Sequence, residues 1–182
     1  MGRTNAPPIF SLSFSAINFY ITMKNLKLYL ETSSWNFYYA DDAPEKKAVT
    51  REFFDSLPNN QFELFISEIV LEEIDNASNE KTTQLRSLIE QFQTTILVWE
   101  PTMKKLTDAY FANKVLPLKA YRDAQHIAFS TVNELDFVIS WNLRHIANVH
   151  RQKKVNAINM LNGYTKPLQL ITPMEVSYNA EN

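Results

Sequence analysis

Five short apolar segments, separated by helical patterns, constrain the fold of this chain more than any other feature. The intervening segments place apolar residues at three- and four-residue steps, which is the pattern of helices packed on a core. Strands that alternate with helices form a parallel sheet with helices on both faces. The sequence therefore predicts an α/β fold of three layers, α/β/α, around a five-stranded parallel sheet. The predicted strands are residues 26–30, 62–66, 95–99, 137–140 and 168–171.

The stretch 119–146 indicates where a functional site lies. A helical pattern with a small apolar face carries Asp123 near its start and His126 three residues later. The next predicted strand ends at Ser140, and Asn142 follows. Because ligands of open parallel sheets bind at the carboxyl ends of the strands, we expect Asn142 at the site, with Asp123 reaching it from the helix. We interpret His126 as a core residue or a neighbour of the ligands rather than as a ligand.

Composition excludes several kinds of site. The chain has no cysteine, which removes disulfides, cysteine–zinc sites and thiol nucleophiles and suits a reducing, cytoplasmic location. Its two glycines, Gly2 and Gly163, cannot form a glycine-rich phosphate loop, and its three histidines lack zinc-protease spacing. The formal net charge of −2 argues against a general polyanion binder, so any contact with nucleic acid is expected to be local.

Residues 1–22 differ in composition from the rest of the chain. They contain no acidic residue and no lysine, and polar residues interrupt their apolar run at 9–21. That run is too short and too polar to span a bilayer, so no membrane association is predicted. A weak signal or anchor is the alternative, but a secretory signal needs a cleaner apolar stretch. We expect an N-terminal extension outside the fold at 1–22 and one folded domain at 23–182.

Three acidic residues and one amide are expected at the same edge of the sheet. Glu31 ends the first predicted strand, Glu73 lies on the helix after the second, and Asp123 and Asn142 flank the fourth. If the first and fourth strands are neighbours, these side chains converge. Oxygen ligands without sulfur suit a hard divalent ion such as Mg²⁺ or Mn²⁺. Taken singly, each carboxylate is more simply explained as a helix cap or a solvated charge.

Four segments of the sequence resemble the PIN-domain nucleases, and most closely the toxin-type, VapC-like members of bacterial toxin–antitoxin pairs. The resemblance extends over residues 26–175 and implies the strand order 3-2-1-4-5, a Mg²⁺ or Mn²⁺ cofactor, hydrolysis of RNA and a small antitoxin as partner. It also implies that Glu31, Glu73 and Asp123 are the family's catalytic, metal-binding acids and that Asn142 is its fourth polar position. The segments are YLETSS at 29–34, ISEIVLEEI at 66–74, YRDAQHIAFS at 121–130 and ISWNLRHI at 139–146.

Two positions depart from the family pattern. Glu31 stands where Asp is usual, and Asn142 stands where Asp is frequent. These departures leave a second hypothesis open, in which the chain is a PIN-fold RNA-binding or regulatory protein with weak or no catalysis. A third hypothesis is a sugar- or phosphate-handling α/β enzyme outside this family, which the lack of glycine loops disfavours.

Two groups of polar residues are expected to contact the substrate. Thr32 and Ser33 follow the first strand and can donate hydrogen bonds to a phosphate or a metal-bound water, although capping of the next helix explains them equally well. Arg144 and Arg151 belong to the segment 144–154, which contains four basic residues and no acid. This segment is the best candidate for phosphate contacts, and a solvated helix face is the alternative. The sequence leaves the RNA target and the oligomeric state, a homodimer included, open.

Overall fold

The parallel sheet is present with all five predicted strands. The computed structural model describes residues 25–59 and 62–180, so the predicted extension at 1–22 lies outside the described residues. Neighbouring strands are parallel and follow the predicted order 3-2-1-4-5, which confirms the predicted fold class. The strands are β1 (Leu26–Leu30), β2 (Phe62–Ser67), β3 (Thr95–Leu97), β4 (Phe137–Ile139) and β5 (Gln169–Ile171).

Helices occupy the connections between the strands, as the alternating pattern predicts. The segment after β5 forms a helix whose first residue is a proline, a residue suited to that position. The helices are α1 (Thr32–Asn36), α2 (Pro44–Ser56), α3 (Glu68–Asp75), α4 (Asn79–Gln91), α5 (Pro101–Ala112), α6 (Tyr121–Val132), α7 (Val149–Leu161) and α8 (Pro173–Ala180).

Four strand ends differ from the sequence-based expectation. β4 stops at Ile139, one residue early, and β5 begins at Gln169, one residue late. The ends of β3 and β2 differ for identifiable reasons. β3 stops at Leu97, two residues early, and the backbone N–H of Trp99 donates to Glu68 Oε1 at 3.0 Å rather than to a neighbouring strand. β2 continues to Ser67, one residue beyond the predicted strand. The Ser67 hydroxyl does not bond to the helix backbone, because it is hydrogen bonded to Tyr29 Oη at 2.6 Å.

The central strand and α6 bring the site residues together. β1 lies between β2 and β4, and Tyr29 in its middle is fully buried. Ala124 and Ala128 on α6 are also fully buried, and their small side chains allow α6 to pack closely against the sheet. The start of α6 is thereby held near the carboxyl ends of β1 and β4, with Asp123 half-buried in its first turn.

Candidate metal centre

Glu31 is the first residue after β1, and hydrogen bonds from two elements fix its carboxylate. Glu31 Oε2 accepts from the Ser33 backbone N–H at 3.1 Å, from the Ser33 hydroxyl at 2.5 Å and from the Ser140 hydroxyl at 2.7 Å. Ser140 follows β4, which pairs directly with β1. Glu31 is also the N-cap of α1, so its capping role and its place at the site coexist.

Glu73 is held by a chain of buried hydrogen bonds that begins in the sheet. Glu73 Oε2 accepts from the Thr32 hydroxyl and lies 3.2 Å from His126 Nε2. His126 Nδ1 is 2.7 Å from Tyr29 Oη, which in turn contacts Ser67. Only 1% of the His126 side chain is exposed. The imidazole ring therefore has both nitrogens engaged and fixes the direction of Glu73.

Asp123 and Asn142 contact each other, as their predicted positions require. Asn142 Nδ2 donates to Asp123 Oδ1 at 2.8 Å. The amide oxygen of Asn142 accepts from the His145 backbone N–H at 3.1 Å, and its own backbone N–H donates to Ser140 Oγ at 2.9 Å. Asn142 therefore orients Asp123 while its oxygen is directed to the backbone of the following turn.

The titratable residues of this site shift one another's pKa values. Burial, and then the negative charge of Glu31, raises the pKa of Asp123 to about 6. Burial acts against ionised Glu73, but its hydrogen bonds with His126 and Thr32 outweigh that effect and lower the pKa of Glu73. Burial also disfavours protonated His126, yet the bond to Glu73 and the surrounding carboxylates outweigh it, so the pKa of His126 is raised. The site therefore concentrates negative charge that stabilises a cation.

The donor set fits a divalent cation. We call Glu31, Glu73 and Asp123 the carboxylate cluster. In each, one oxygen accepts the hydrogen bonds given above, and the other accepts none from the described residues. Glu31, Glu73 and His126 can each place one ligand atom within 4.8 Å of the other two. Free carboxylate oxygens match hard divalent ions, and the imidazole is a ligand for transition metals.

Thr32 and Ser33, predicted to contact substrate, are engaged within the site itself. The Thr32 hydroxyl donates to Glu73, and the Ser33 hydroxyl bonds to Glu31 and accepts from the Trp141 backbone N–H at 2.8 Å. Both hydroxyls therefore hold carboxylates in place.

Arg144 and Arg151 lie beside Asn142 in a group of unpaired cations. We call Lys119, Arg144 and Arg151 the basic group. Burial of His145 lowers its pKa, and the positive charges of the basic group lower it further. Within the described part of the chain, none of the three forms an ion pair. Arg151 Nε and His145 Nδ1 are buried without a hydrogen-bond partner. A cation group that lacks acids is a natural contact for phosphate.

Glu31, Glu73 and His126 form the group that could hold an ion, and His126 is its one member that was not predicted as a ligand. Its signal in the sequence is its position three residues after Asp123, on the same side of α6. Tyr29 and Ser67, which complete the buried chain, give no such signal because their contacts join β1, β2 and α6 across long sequence distances.

Comparisons with known proteins leave the family open: no protein-family model and no curated protein matches this chain. Among the described residues, none of the helices has the length and apolar character needed to cross a membrane.

Proposed function

We propose that this protein is a metal-dependent endoribonuclease of the PIN type, acting in the cytoplasm as the toxin of a toxin–antitoxin pair. The observation that carries the proposal is the carboxylate cluster. Its three acids come from three separate elements, and each keeps an oxygen without a hydrogen bond from the described residues. Glu31 and Glu73 can place ligand atoms within 4.8 Å of each other. Asp123 is not part of that group, but after burial the charges of both glutamates raise its pKa. RNA is the proposed substrate, and a small antitoxin protein is the proposed partner.

Mg²⁺ or Mn²⁺ is the proposed cofactor, and the free oxygens of Glu31, Glu73 and Asp123 would hold it. Such an ion supplies an activated water and positive charge for the leaving oxygen of a phosphodiester. The remaining residues orient these ligands: His126 and Thr32 fix Glu73, and the serine hydroxyls fix Glu31. Asn142 fixes Asp123.

The basic group supports the assignment of RNA as substrate. Arg144 and Arg151 lie close in sequence to Asn142, whose side chain contacts Asp123 directly. A carboxylate cluster repels the phosphates of RNA, so unpaired cations at its border are needed to hold the backbone. Arg144 and Arg151 therefore remain the proposed phosphate contacts, and we add Lys119 to the proposal because its charge acts on His145 together with theirs.

One observation favours the alternative of an RNA-binding or regulatory PIN-fold protein with weak or no catalysis. The amide oxygen of Asn142 is engaged by the His145 backbone, so it does not add an oxygen ligand to the cluster. A metal would then rely on the three carboxylates, because Glu73 and Tyr29 engage both ring nitrogens of His126.

RNA cleavage by the purified protein tests the proposal. We expect single-stranded RNA to be cut with Mg²⁺ or Mn²⁺ and cleavage to stop with a chelator. Glu73→Gln should abolish cleavage, because it replaces a ligand oxygen and the partner of His126. Glu90→Gln is the matched control, since Glu90 is an exposed acid on α4 that has no hydrogen bond to the cluster residues.

The outcomes separate the two functions. Cleavage that survives the chelator would contradict the metal mechanism. RNA binding without cleavage, in both wild type and Glu73→Gln, would favour the RNA-binding alternative.

A further inference from the structure

A second concave site adjoins the helices that carry Glu73 and Asp123. A cavity of about 380 Å³ is lined by residues of α3, α5 and α6 and by the segment before α5. Glu72 and Arg122 line it, and each immediately precedes a member of the carboxylate cluster. The cavity is therefore next to the candidate metal centre but uses different side chains.

Gln125 gives this cavity an unsatisfied polar group. Its side chain is 9% exposed, and its Oε1 atom is buried without a hydrogen-bond partner. Among the described residues, nothing donates to or accepts from the Gln125 amide. Buried amides are nearly always hydrogen bonded because burial without a partner is destabilising. Because Oε1 has almost no accessible surface, the amide gains a partner when it turns toward a ligand in the cavity that supplies both a donor and an acceptor.

Aromatic rings form other parts of the wall. Trp99 is half-buried and Tyr121 is 43% exposed, so both retain surface for a planar ligand. Phe111, which does not line the cavity, stacks with Tyr121, with the two rings nearly parallel at 7° and their centroids 5.8 Å apart. Aromatic side chains of this kind stack on the unpaired bases of single-stranded nucleic acids.

The cations of the wall are already paired. Arg122 contacts Glu72 at 3.0 Å, and Lys104 contacts Asp108 at 2.7 Å. Glu68 has no cation partner among the described residues and accepts from the Trp99 backbone N–H at 3.0 Å. The cavity therefore offers an amide and aromatic surface without an unpaired cation in its lining, which favours a neutral planar group over an isolated phosphate.

We propose that this cavity binds a nucleobase of the RNA substrate, with adenine preferred, so that the enzyme reads one base beside the phosphate it cuts. The identity of the substrate rests on the proposed function. The Gln125 amide offers an acceptor and a donor side by side, which matches the amino group and the neighbouring ring nitrogen of adenine. Trp99 and Tyr121 supply the stacking surface.

Titration of the metal-free protein with AMP, followed by NMR of the tryptophan indole N–H signals, tests the site. We expect a saturable shift of the Trp99 signal, whereas Trp35 and Trp141, which donate to Leu30 and Thr50, serve as internal references. Gln125→Leu should weaken binding by at least about tenfold, the loss expected for one bidentate base contact. It should also melt no lower than wild type, because it removes an unpaired buried amide.

Two comparisons make the test specific. Gln84→Leu, on the exposed side of α4, is the matched control and should bind AMP as wild type does. Ribose 5-phosphate, which lacks a base, should leave the Trp99 signal unchanged. An equal shift with ribose 5-phosphate would overturn the proposal, since it would show binding of phosphate by the wall cations.

The cavity and the proposed function can fail separately. If RNA is cleaved but AMP does not shift the Trp99 signal, the base site is wrong and the nuclease assignment stands. If AMP binds and Gln125→Leu abolishes binding, the base site is supported even where no RNA is cleaved.

Discussion

Asp123→Asn should make the metal-free protein more stable, because Asp123 is ionised at neutral pH at a place that disfavours its charge. Burial and the charge of Glu31 raise the pKa of Asp123 from its ordinary 3.8 to about 6. That difference corresponds to at most about 3 kcal/mol of unfolding free energy. Asp123 is half-buried and solvent screens its charge, so we expect a gain of about 1–2 kcal/mol. Asparagine keeps the size and can still accept from Asn142.

The pH dependence of the gain identifies its cause. Because the pKa is raised in the folded state, Asp123 is protonated in the folded protein between about pH 4 and about pH 6, where the unfolded chain has lost the proton. The free energy of unfolding of wild type therefore falls as pH rises through this window. The variant has no carboxyl group at position 123, so its free energy of unfolding does not fall for this reason. The difference in unfolding free energy between Asp123→Asn and wild type should be near zero at about pH 4 and should reach its full value at about pH 7.5.

Urea unfolding of both proteins in a chelator at these two pH values measures the effect, and thermal melts should show a rise of about 3–6 °C at the higher pH. Asp55→Asn, which removes an exposed carboxylate from α2, controls for net charge. Added Mg²⁺ at a hundredfold excess over its dissociation constant should stabilise wild type by about 2.7 kcal/mol and the variant much less. A variant that is far less stable than wild type at the higher pH would show that Asp123 is a structural residue, and the carboxylate cluster would lose a member.

Three further predictions concern other parts of the molecule. Tyr29→Phe leaves the Ser67 hydroxyl and His126 Nδ1, both buried, without their hydrogen-bond partner. The free energy of unfolding in urea should therefore fall by about 1–3 kcal/mol, and RNA cleavage should fall as well. An unchanged unfolding midpoint would contradict the buried hydrogen-bond chain. Arg151→Met should weaken RNA binding and lower the slope of log affinity against log salt by about one, as measured by fluorescence anisotropy; an unchanged slope would remove Arg151 from the phosphate contacts. A protein beginning at Met23 should melt at the temperature of the full chain by calorimetry, whereas a much lower temperature would place residues 1–22 against the fold.

The fold could be predicted because its information is local. Alternating apolar strands and helical patterns, with turns between them, specify a parallel sheet without knowledge of any distant contact. The errors lie at strand ends such as Leu97 and Ser67, where a side chain from another element takes the backbone or hydroxyl group. Such partners cannot be inferred from the neighbouring residues.

The site could be predicted only in part, for the same reason. Glu31 and Asn142 follow strand ends, and a strand end has a known direction in a parallel sheet. The role of His126 depends on Tyr29 from β1 and Glu73 from α3, which lie on different elements. The sequence also could not show that Asn142 directs its oxygen to the His145 backbone, since one torsion angle decides it.

The hydrogen bonds that hold Glu31, Glu73 and Asp123 also have a consequence for the choice of ion. A glutamate side chain fixed in one rotamer loses about 1.5–2 kcal/mol of conformational entropy, and here folding has already imposed that loss before any ion arrives. The side chains are pre-organised, so the proposed ion would bind with little rearrangement. A rigid set of ligands cannot adjust its spacing to ions of different radius. If a small divalent ion binds there as proposed, the same neighbours would make the centre selective against larger ions.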